Sequence, residues 1–527
     1  MAWYSSSWSY REKITVASSG YGMTVDQTDF THRVSIVAAN TAFWSHVKAD
    51  GTDVRFTASD GTTLLKFEVE SFDSTGDDAH YHVKIPTLGY AANTDIYVYY
   101  GNAAATSGED INNTWESSFK AVYHLNQDKA AGAFADSTSN ANNGTNSGTT
   151  DVAGQIDRGR ALVSASSQRI DVTDSDSLSF GNGSVDTPLT ITAWVYRTAL
   201  AQSFPIISKG TDPTAIEYIL HIDTSNRWWF RIDDPSASAY LYQFSDAGHT
   251  IPATTWSFLV GTYNGNGTTG GIILYLDGAV ETYSPGSAGT YVAMENTTNV
   301  AAIGRYYNSS AYANGRIDEI TLSNVARSAS WVKAAYNSGL GTGVSFGAEE
   351  DNPIETGSYA LTGQDVTLTY GRAISAEAGF YALTGQGLSP LHGRVLDVGA
   401  GSYSLTGVDA TFPRIYVLSP EGGVYALTGQ DVTLLYSPTG VYTLICDAGS
   451  YALTGQNVSV LHDKVIPVEA GSFVLTGQDV SLLMGYQVSG EAGVVDITGT
   501  DVGLLKGFQL DANTGSYTLT GYDITLT

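Results

Sequence analysis

A seven-residue phrase recurs eight times in the last third of the chain. It reads Gly-Ser-Tyr-Ala-Leu-Thr-Gly at residues 357–363, and its first glycine returns at positions 379, 401, 423, 449, 471, 493 and 515. The spacing is 22 residues, except for one spacing of 26 that includes a four-residue insertion. A fixed period of this kind predicts a repeat architecture in which each unit contacts its neighbours along the chain.

Each repeat has the apolar pattern of short β-strands. In the first unit Tyr359 and Leu361 alternate with small residues, and a second alternating segment covers 366–370. A turn is predicted between the two at 363–365, and a third apolar segment is clear in the next unit at 394–398. One unit has too few large apolar side chains to offset a backbone ordering cost of about 1–2 kcal/mol per residue. We therefore expect the units to stack on one another or on other chains.

The whole chain has the composition of an all-β protein. Its 527 residues include 57 glycines and 33 tyrosines, and only 15% are charged. Short strands separated by turns fill the rest of the sequence, and a helix of about two turns is predicted only at 330–336. The predicted order is a β-sandwich at 1–102, a linker at 103–117, a second β-sandwich at 118–349, a linker at 350–356 and the repeat array at 357–527.

Net charge excludes two classes of partner. The chain has 25 basic and 53 acidic residues, a formal net charge of −28, which disfavours nucleic-acid binding and docking on anionic membranes. No apolar run is long enough to span a membrane, so no membrane insertion is expected.

The single cysteine, Cys446, excludes an intramolecular disulfide and a site with several thiolates. The first residues carry no basic and apolar signal, so export by a standard signal peptide is not expected if the sequence is complete.

Nine short phrases follow one another between residues 121 and 320. They are Ala121-Val-Tyr-His-Leu125, Asp136-Ser-Thr-Ser-Asn-Ala-Asn-Asn-Gly144, Gly159-Arg-Ala-Leu162, Leu189-Thr-Ile-Thr-Ala-Trp194, Ile207-Ser-Lys-Gly210, Gly261-Thr-Tyr263, Leu274-Tyr-Leu-Asp-Gly278, Gly304-Arg305 and Gly315-Arg-Ile-Asp-Glu-Ile320. With these phrases the region 118–349 resembles the laminin-G-like, concanavalin-A-like jelly rolls. The resemblance implies two packed antiparallel sheets, often a calcium ion, and usually glycan or protein binding.

Two further resemblances concern the ends of the chain. The phrases of the first region are Trp8-Ser-Tyr-Arg-Glu-Lys-Ile14, Asp50-Gly-Thr-Asp-Val-Arg-Phe56, Val83-Lys-Ile-Pro86 and Tyr99-Tyr-Gly-Asn102. With them the region resembles the DUF2341 family, a β module often found beside such jelly rolls, to which no chemistry is firmly assigned. The C-terminal repeats are similar to arrays in predicted phage structural proteins.

An oxygen-rich loop is a candidate calcium site. Asp136, Asn140 and Asn143 lie together with Ser137 in one segment, and calcium prefers carboxylate, amide and carbonyl oxygens. The jelly-roll resemblance implies Asp318 as a distant carboxylate partner. The alternative is a loop of Asx-turns that binds no ion.

Aromatic residues are the candidates for ligand binding. Trp229, Tyr240, Tyr242, Tyr306 and Tyr307 could stack on the faces of sugar rings. The adjacent Trp228 and Trp229 should point to opposite faces of a strand, one of them to the core and the other to the surface. The alternative for each of these aromatic side chains is packing in the core.

Catalytic motifs give no coherent active site. Glu68 and Glu70 share a strand face, as do His80 and His82, which are expected on a solvated strand edge rather than in a metal site. The carboxylate strand of related β-jelly-roll glucanases is missing from 118–349. A Gly-x-Ser-x-Gly sequence at 343–347 is expected to be a final strand, because the nucleophile elbow requires an α/β sheet. The sequence therefore predicts no enzyme.

The predicted function is that of a non-enzymatic bacteriophage virion surface protein. It would be a tail or head fibre-like adhesin whose jelly roll binds cell-surface or environmental glycans, with the repeats for projection or attachment. Other virion proteins and further copies of the chain are the expected partners, and the virion surface is the expected location. The alternatives are a bacterial extracellular adhesin and, less favoured, an enzyme that acts on polysaccharides.

Overall fold

The computed structural model describes most of the first 352 residues and the strand segments of the repeats. In the first part it describes residues 3–126, 133–210, 215–246, 251–307 and 311–352. In the repeats it describes residues 358–362, 365–368, 374–375, 380–390, 396–397, 402–412, 417–419, 424–429, 431–434, 443–444, 450–461, 465–468, 472–483, 487–490, 494–504, 509–512 and 516–526. The chain divides into two compact units, residues 1–352 and 353–527.

The elements of the first unit are almost all short strands. Its first part contains β1 (Tyr10–Val16), β2 (Gln27–Ile36), α1 (Thr41–His46), β3 (Arg55–Ala58), β4 (Phe67–Asp73), β5 (Asp78–Leu88), β6 (Thr94–Tyr100) and α2 (Ile111–Thr114). The remainder contains β7 (Phe119–Tyr123), β8 (Ala133–Phe134), β9 (Gly144–Ser147), β10 (Thr150–Ala153), β11 (Arg158–Leu162), β12 (Arg169–Val172), β13 (Leu189–Arg197), β14 (Phe204–Lys209), β15 (Tyr218–Ile222), β16 (Trp228–Asp234), β17 (Ala239–Ser245), β18 (Trp256–Tyr263), β19 (Ile272–Leu276), β20 (Ala279–Val280), β21 (Tyr283–Ala288), β22 (Ala301–Ile303), β23 (Gly315–Ser323), α3 (Ala329–Leu340) and β24 (Val344–Asp351).

These strands form two antiparallel sandwiches, which confirms the all-β prediction. The first sandwich packs the sheet β24-β1-β6-β3 on the sheet β2-β5-β4, around a core that includes Ile14, Val34 and Tyr81. The second is the concanavalin-A-like jelly roll. It packs the sheet β10-β11-β23-β13-β18-β19-β20, with β7 beside β23, on the sheet β21-β17-β16-β15-β14-β22-β12-β9-β8. Trp228 and Leu259 lie in the core between these two sheets.

Two segments near the predicted domain boundaries form part of the fold of the first unit. β24 contains the predicted final strand of the jelly roll but pairs with β1 of the first sandwich, where Phe346 lies opposite Ile14. The predicted linker at 103–117 contains α2, and Thr114 at its end is buried. The sequence pattern predicts whether a segment is a strand or a loop. It does not show which other strand that segment pairs with.

The helix α3 lies between the sandwiches and is longer than predicted. The Ser328 hydroxyl caps it by accepting a hydrogen bond from the Trp331 N–H at 3.2 Å, and Gly341 ends it with φ of +66°. On one side Trp331 packs against Phe30 of β2, and on the other Tyr336 stacks on Trp194 of β13. No helix among the described residues is long and apolar enough to cross a membrane.

The second unit is a stack of parallel strands. Its strands are β25 (Ser358–Thr362), β26 (Asp365–Leu368), β27 (Ile374–Ser375), β28 (Phe380–Pro390), β29 (Leu396–Asp397), β30 (Ser402–Phe412), β31 (Val417–Ser419), β32 (Val424–Thr428), β33 (Asp431–Leu434), β34 (Thr443–Leu444), β35 (Ser450–Thr454), β36 (Asn457–Leu461), β37 (Val465–Val468), β38 (Ser472–Leu483), β39 (Gln487–Gly490), β40 (Val494–Leu504), β41 (Gln509–Ala512), β42 (Ser516–Thr520) and β43 (Asp523–Leu526).

Equivalent positions of successive repeats lie directly beside one another. Tyr359 pairs with Tyr381, which pairs with Tyr403, and the same register continues through the array. The third segments pair with one another in sheets of their own, as at β37 and β39. The predicted stacking of units is confirmed. Residues 363–364 of the predicted turn lie outside the described residues, and at the equivalent positions of four other units β28, β30, β38 and β40 continue as single strands.

Candidate functional site

The outer face of strands β15, β16 and β17 carries the predicted ligand-binding residues. Trp228 is fully buried in the jelly-roll core, whereas Trp229 is half-buried on the opposite face, as alternation along a strand requires. Trp229 lies opposite Phe244 of β17 and opposite His221 of β15. Strand pairing therefore sets a row of rings across three strands.

The structure brings all five predicted aromatic residues together. The ring of Trp229 has its centroid 6.0 Å from that of Tyr242 and 6.4 Å from that of Tyr306. Tyr240 extends the group along β17 at 5.9 Å from Tyr242, and Tyr307 extends it at 4.5 Å from Tyr306. All five side chains are half-buried, so each keeps some surface in contact with solvent. We call this surface the aromatic face.

A charged pair lies within the aromatic face. The Arg231 guanidinium lies 3.9 Å from the centroid of the Tyr240 ring, a cation–π contact. Its Nε donates a hydrogen bond to Oδ2 of Asp233 at 2.8 Å. Burial raises the pKa of Asp233 to about 6, although the guanidinium beside it favours the charged form. The aromatic face therefore combines flat apolar rings with groups that can donate and accept hydrogen bonds.

His221 is a member of the aromatic face that the sequence analysis missed. Its ring centroid lies 4.9 Å from that of Tyr306, and its Nε2 is 2.8 Å from the Ser203 hydroxyl. Burial lowers the pKa of His221 to about 4, so the imidazole is neutral at physiological pH. One sequence signal could have identified His221: it is a polar residue at an outward-facing position of a strand, between apolar neighbours.

The predicted calcium loop holds itself together with hydrogen bonds. One carboxylate oxygen of Asp136 accepts from the backbone N–H groups of Val122 and Thr138, at 3.0 and 2.9 Å. The other accepts from the Thr138 hydroxyl and the Asn142 N–H, both at 2.9 Å. The side-chain oxygen of Asn143 accepts from the Asp136 N–H at 2.9 Å. These are the contacts of a loop of Asx-turns, the alternative that the sequence left open.

The other predicted calcium ligands have partners of their own. The side chain of Asn140 donates a hydrogen bond to the Phe119 carbonyl at 3.2 Å. Asp318 is fully buried, and its Oδ2 accepts from the backbone N–H groups of Gln155 and Ile156 at 2.8 and 2.9 Å. Calcium at this loop stays a prediction, and these carboxylate oxygens already have donors.

A second cluster lies buried where the first sandwich meets the jelly roll. It contains Glu70 of β4, His82 of β5, His124 after β7 and Glu319 of β23, and one ligand atom from each lies within 4.8 Å of the others. The Nε2 of His82 is 2.7 Å from Oε2 of Glu70, and the Nδ1 of His124 is 2.8 Å from Oε1 of Glu319. The two imidazole rings stack with centroids 4.3 Å apart. We call these four residues the junction cluster.

Burial and neighbouring charges shift the pKa values of Glu70, His82 and His124. Burial and the nearby Glu319 raise the pKa of Glu70 well above its usual value. Burial and the neighbouring His124 lower the pKa of His82. Burial alone would also lower the pKa of His124, but the carboxylates of Glu319 and Glu68 raise it well above its usual value. Buried imidazoles and carboxylates therefore act on one another's charge within this site.

The sequence analysis recognised only half of the junction cluster. Glu68 was predicted to share a strand face with Glu70, and His80 with His82. The solvated edge expected for the two histidines is wrong, since they are 6% and 4% exposed. The jelly roll covers this face of β5, and a single strand sequence cannot show that. His124 and Glu319 belong to distant parts of the sequence, and only the packing of the two sandwiches brings them to His82.

Comparisons with known families support the two sandwiches. Residues 170–333 match the family model of the concanavalin A-like lectin/glucanases superfamily, and residues 50–139 match that of a domain of unknown function, DUF2341. The second match crosses the predicted linker and ends inside the jelly roll. No curated protein sequence matches the chain.

Several solved structures are similar to part of the chain. The binding domain of Paraclostridial Mosquitocidal Protein 1 is 15% identical with a TM-score of 0.32, over 44% of this chain and 53% of that one. The binding domain of botulinum neurotoxin serotype G is 13% identical with a TM-score of 0.31, over 41% of this chain and 50% of that one. Domain 4 of AbnA, a GH43 extracellular arabinanase from Geobacillus stearothermophilus in complex with arabinotriose, is 18% identical with a TM-score of 0.31, over 42% of this chain and 98% of that one. The chain thus spans about half the length of the two toxin domains.

Proposed function

We propose that this protein is a non-enzymatic adhesin on the surface of a bacteriophage virion, and that it binds glycans through the aromatic face of its jelly roll. The observation that carries the proposal is the convergence of the half-buried rings of Trp229, Tyr242 and Tyr306 on one outer sheet face. Exposed aromatic groups of this kind mark contact surfaces.

The chemistry of the aromatic face suits a saccharide. A sugar ring has an apolar C–H face that can lie on an aromatic ring and a rim of hydroxyl groups that require hydrogen-bond partners. Trp229 and the tyrosines supply the first kind of contact. The partly exposed guanidinium of Arg231 lies beside them and supplies donors for the second, while the buried Asp233 holds it in place, as in binding sites that combine apolar walls with a few polar groups.

The environment of the paired carboxylates supports a non-enzymatic role. Glu68 and Glu70 are 5% and 8% exposed, and each is engaged by a histidine or a tryptophan. A glycosidase needs two carboxylates on either side of an accessible sugar. Buried carboxylates at the junction of two domains do not meet this requirement.

The repeats support the virion part of the proposal. Repeats that pair in register can project or attach the first unit, and several copies would multiply weak single-site affinities. Other virion proteins and further copies of this chain are the proposed partners of the array. Antibodies against the chain should label the surface of intact virions, and labelling of bacterial cells alone would favour a bacterial adhesin instead.

The glycan part of the proposal is tested with the full-length chain on a glycan array. We expect Trp229→Ala to weaken binding to any glycan hit at least about tenfold, equivalent to about 1.4 kcal/mol. Trp256 is the matched control, because it is a half-buried tryptophan on the other sheet of the jelly roll, and Trp256→Ala should bind as the wild type does. A folded wild-type protein without any glycan hit, or one that cleaves the glycan, would contradict the proposal.

A further inference from the structure

The junction cluster has the composition of a metal site. Its four potential ligands are two imidazoles and two carboxylates, contributed by strands of both sandwiches and by the residue that follows β7. We propose that Glu70, His82, His124 and Glu319 bind one divalent transition-metal ion, with zinc as the ion that best matches this donor set. Imidazole nitrogen and carboxylate oxygen are ordinary zinc ligands, and three or four of them complete a site.

The geometry is close to that of a tetrahedral site. The four ligand atoms lie within 4.8 Å of one another. Ligands at about 2.1 Å from a zinc ion lie roughly 3.4 Å apart in a tetrahedron. The widest pair of ligand atoms would therefore have to approach by at most about 1.4 Å, which side-chain rotation can supply. Two of the ligands also lie at β-bulges, which redirect side chains: Glu70 at the bulge in β4 and Glu319 at the one between β13 and β23.

One buried polar atom of the junction cluster has no hydrogen bond. The Oε1 of Glu70 lacks a partner among the described residues, and Glu70 is 8% exposed. A buried polar atom without a partner is costly and calls for an unseen water or ion. A cation within the cluster would satisfy this atom.

The charge balance also favours a cation. Glu68, Asp318 and Glu319 lie with Glu70 in the same buried region, and each is less than a tenth exposed. The neighbouring guanidinium of Arg33 already donates to the Ser35 hydroxyl and the Gly339 carbonyl. Buried carboxylates that outnumber their cations must be protonated or bind an ion.

Neighbouring residues hold a ligand of the junction cluster in place, and a cavity reaches the cluster. Glu68 accepts hydrogen bonds from the Trp115 indole and the Ser137 hydroxyl, both at 2.6 Å, and its Oε2 lies 3.3 Å from Nε2 of His124. Such outer partners hold a ligand imidazole in place. A cavity of about 70 Å³ has His82 and Glu319 in its wall, which gives an ion a path and leaves room for a water ligand.

A metal at this position would join the two sandwiches. Glu70 and His82 belong to the sheet β2-β5-β4 of the first sandwich, whereas Glu319 lies in β23 of the jelly roll. An ion that binds only when both halves are docked stabilises the docked state. The expected role of the metal is therefore structural, and it does not depend on glycan binding.

The test uses the full-length protein, first freed of metal with a chelator and then dialysed against zinc chloride. We expect one zinc ion per chain and a rise of several degrees in Tm. His82→Gln and Glu319→Gln should each weaken zinc binding at least about 100-fold, because each loses a direct ligand. His32→Gln is the matched control, since His32 is a fully buried histidine outside the junction cluster, and it should retain the zinc.

If a variant fails to fold, zinc X-ray absorption spectroscopy of the wild-type protein tests the proposal instead. Two imidazole nitrogens and carboxylate oxygens at about 2.0–2.2 Å support the proposal. The proposal is overturned if the folded wild type binds no zinc, if the spectrum shows no imidazole, or if folded His82→Gln and Glu319→Gln bind zinc as tightly as the wild type does.

Discussion

The ring of Tyr242 lies directly over the Cα atom of Gly286. The two residues are paired across the antiparallel strands β17 and β21, and a Cβ atom at position 286 would overlap the tyrosine ring. The missing side chain therefore leaves room for the Tyr242 ring against the neighbouring strand. In that position its ring remains beside Trp229 on the aromatic face.

Gly286→Ala should disturb the aromatic face without opening the core. The added methyl group must displace the Tyr242 ring, so we expect glycan affinity to fall at least about tenfold, or about 1.4 kcal/mol. Gly270→Ala is the matched control, because the nearest atom to its new Cβ is the Thr268 hydroxyl oxygen at 3.7 Å. Isothermal titration of each variant with a glycan from the array measures the effect. Equal affinity of both variants would show that Tyr242 takes no part in binding.

The sequence predicts the contacts between residues that lie close together along the chain, and it misses those between residues that lie far apart. Alternation within one strand was sufficient to separate Trp228 from Trp229, and the aromatic residues on β16 and β17 converge because these strands are neighbours in the sequence. His82 and Glu319 lie in different sandwiches, and no periodic pattern connects them. The same limit explains β24, whose strand character was predicted but whose partner β1 was not.

Acid should destabilise the first unit through its buried neutral histidines. Burial lowers the pKa of both His221 and His32 to about 4, whereas an unfolded histidine has a pKa of about 6.5. Between these values the unfolded state binds a proton that the folded state does not, so stability is full above pH 6.5 and is lost as the pH falls towards 4. Each histidine should contribute a loss of about 2 kcal/mol between pH 6.5 and 5.

The pH effect is measured by urea unfolding, followed by tryptophan fluorescence. His221→Gln and His32→Gln should each reduce the loss between pH 6.5 and 5 by about 2 kcal/mol, and the double variant should reduce it by about twice as much. A loss that stays the same in both single variants would show that other groups take up the protons.

Calcium should have little effect on the loop around Asp136. Both carboxylate oxygens already accept two hydrogen bonds each, so an ion would have to displace four donors. Calcium added to calcium-free, zinc-loaded protein should therefore change Tm by less than about 1 °C. Asp136→Asn should cost about 1–3 kcal/mol with or without calcium, because an amide nitrogen would face N–H donors. A calcium-dependent rise in Tm that Asp136→Asn abolishes would restore the predicted site.

Each repeat should depend on the core residues of its neighbours. Leu475 is fully buried between the equivalent residues Leu453 and Ile497 of the adjoining units, whereas Leu519, one unit beyond Ile497, is 36% exposed. Leu475→Ala should cost about 2–5 kcal/mol through the cavity that it creates, and Leu519→Ala should cost less because its site is already open to solvent.

Hydrogen exchange of the full-length chain, measured by mass spectrometry, shows which strands each substitution destabilises. Because repeats are stabilised mainly by their contacts with adjacent units, Leu475→Ala should increase exchange in β35 and β40 as well as in β38. Leu519→Ala should increase exchange only in β42 and β40. If both variants raised exchange equally in every described repeat, the array would unfold as one cooperative block, and the nearest-neighbour account of its stability would be wrong.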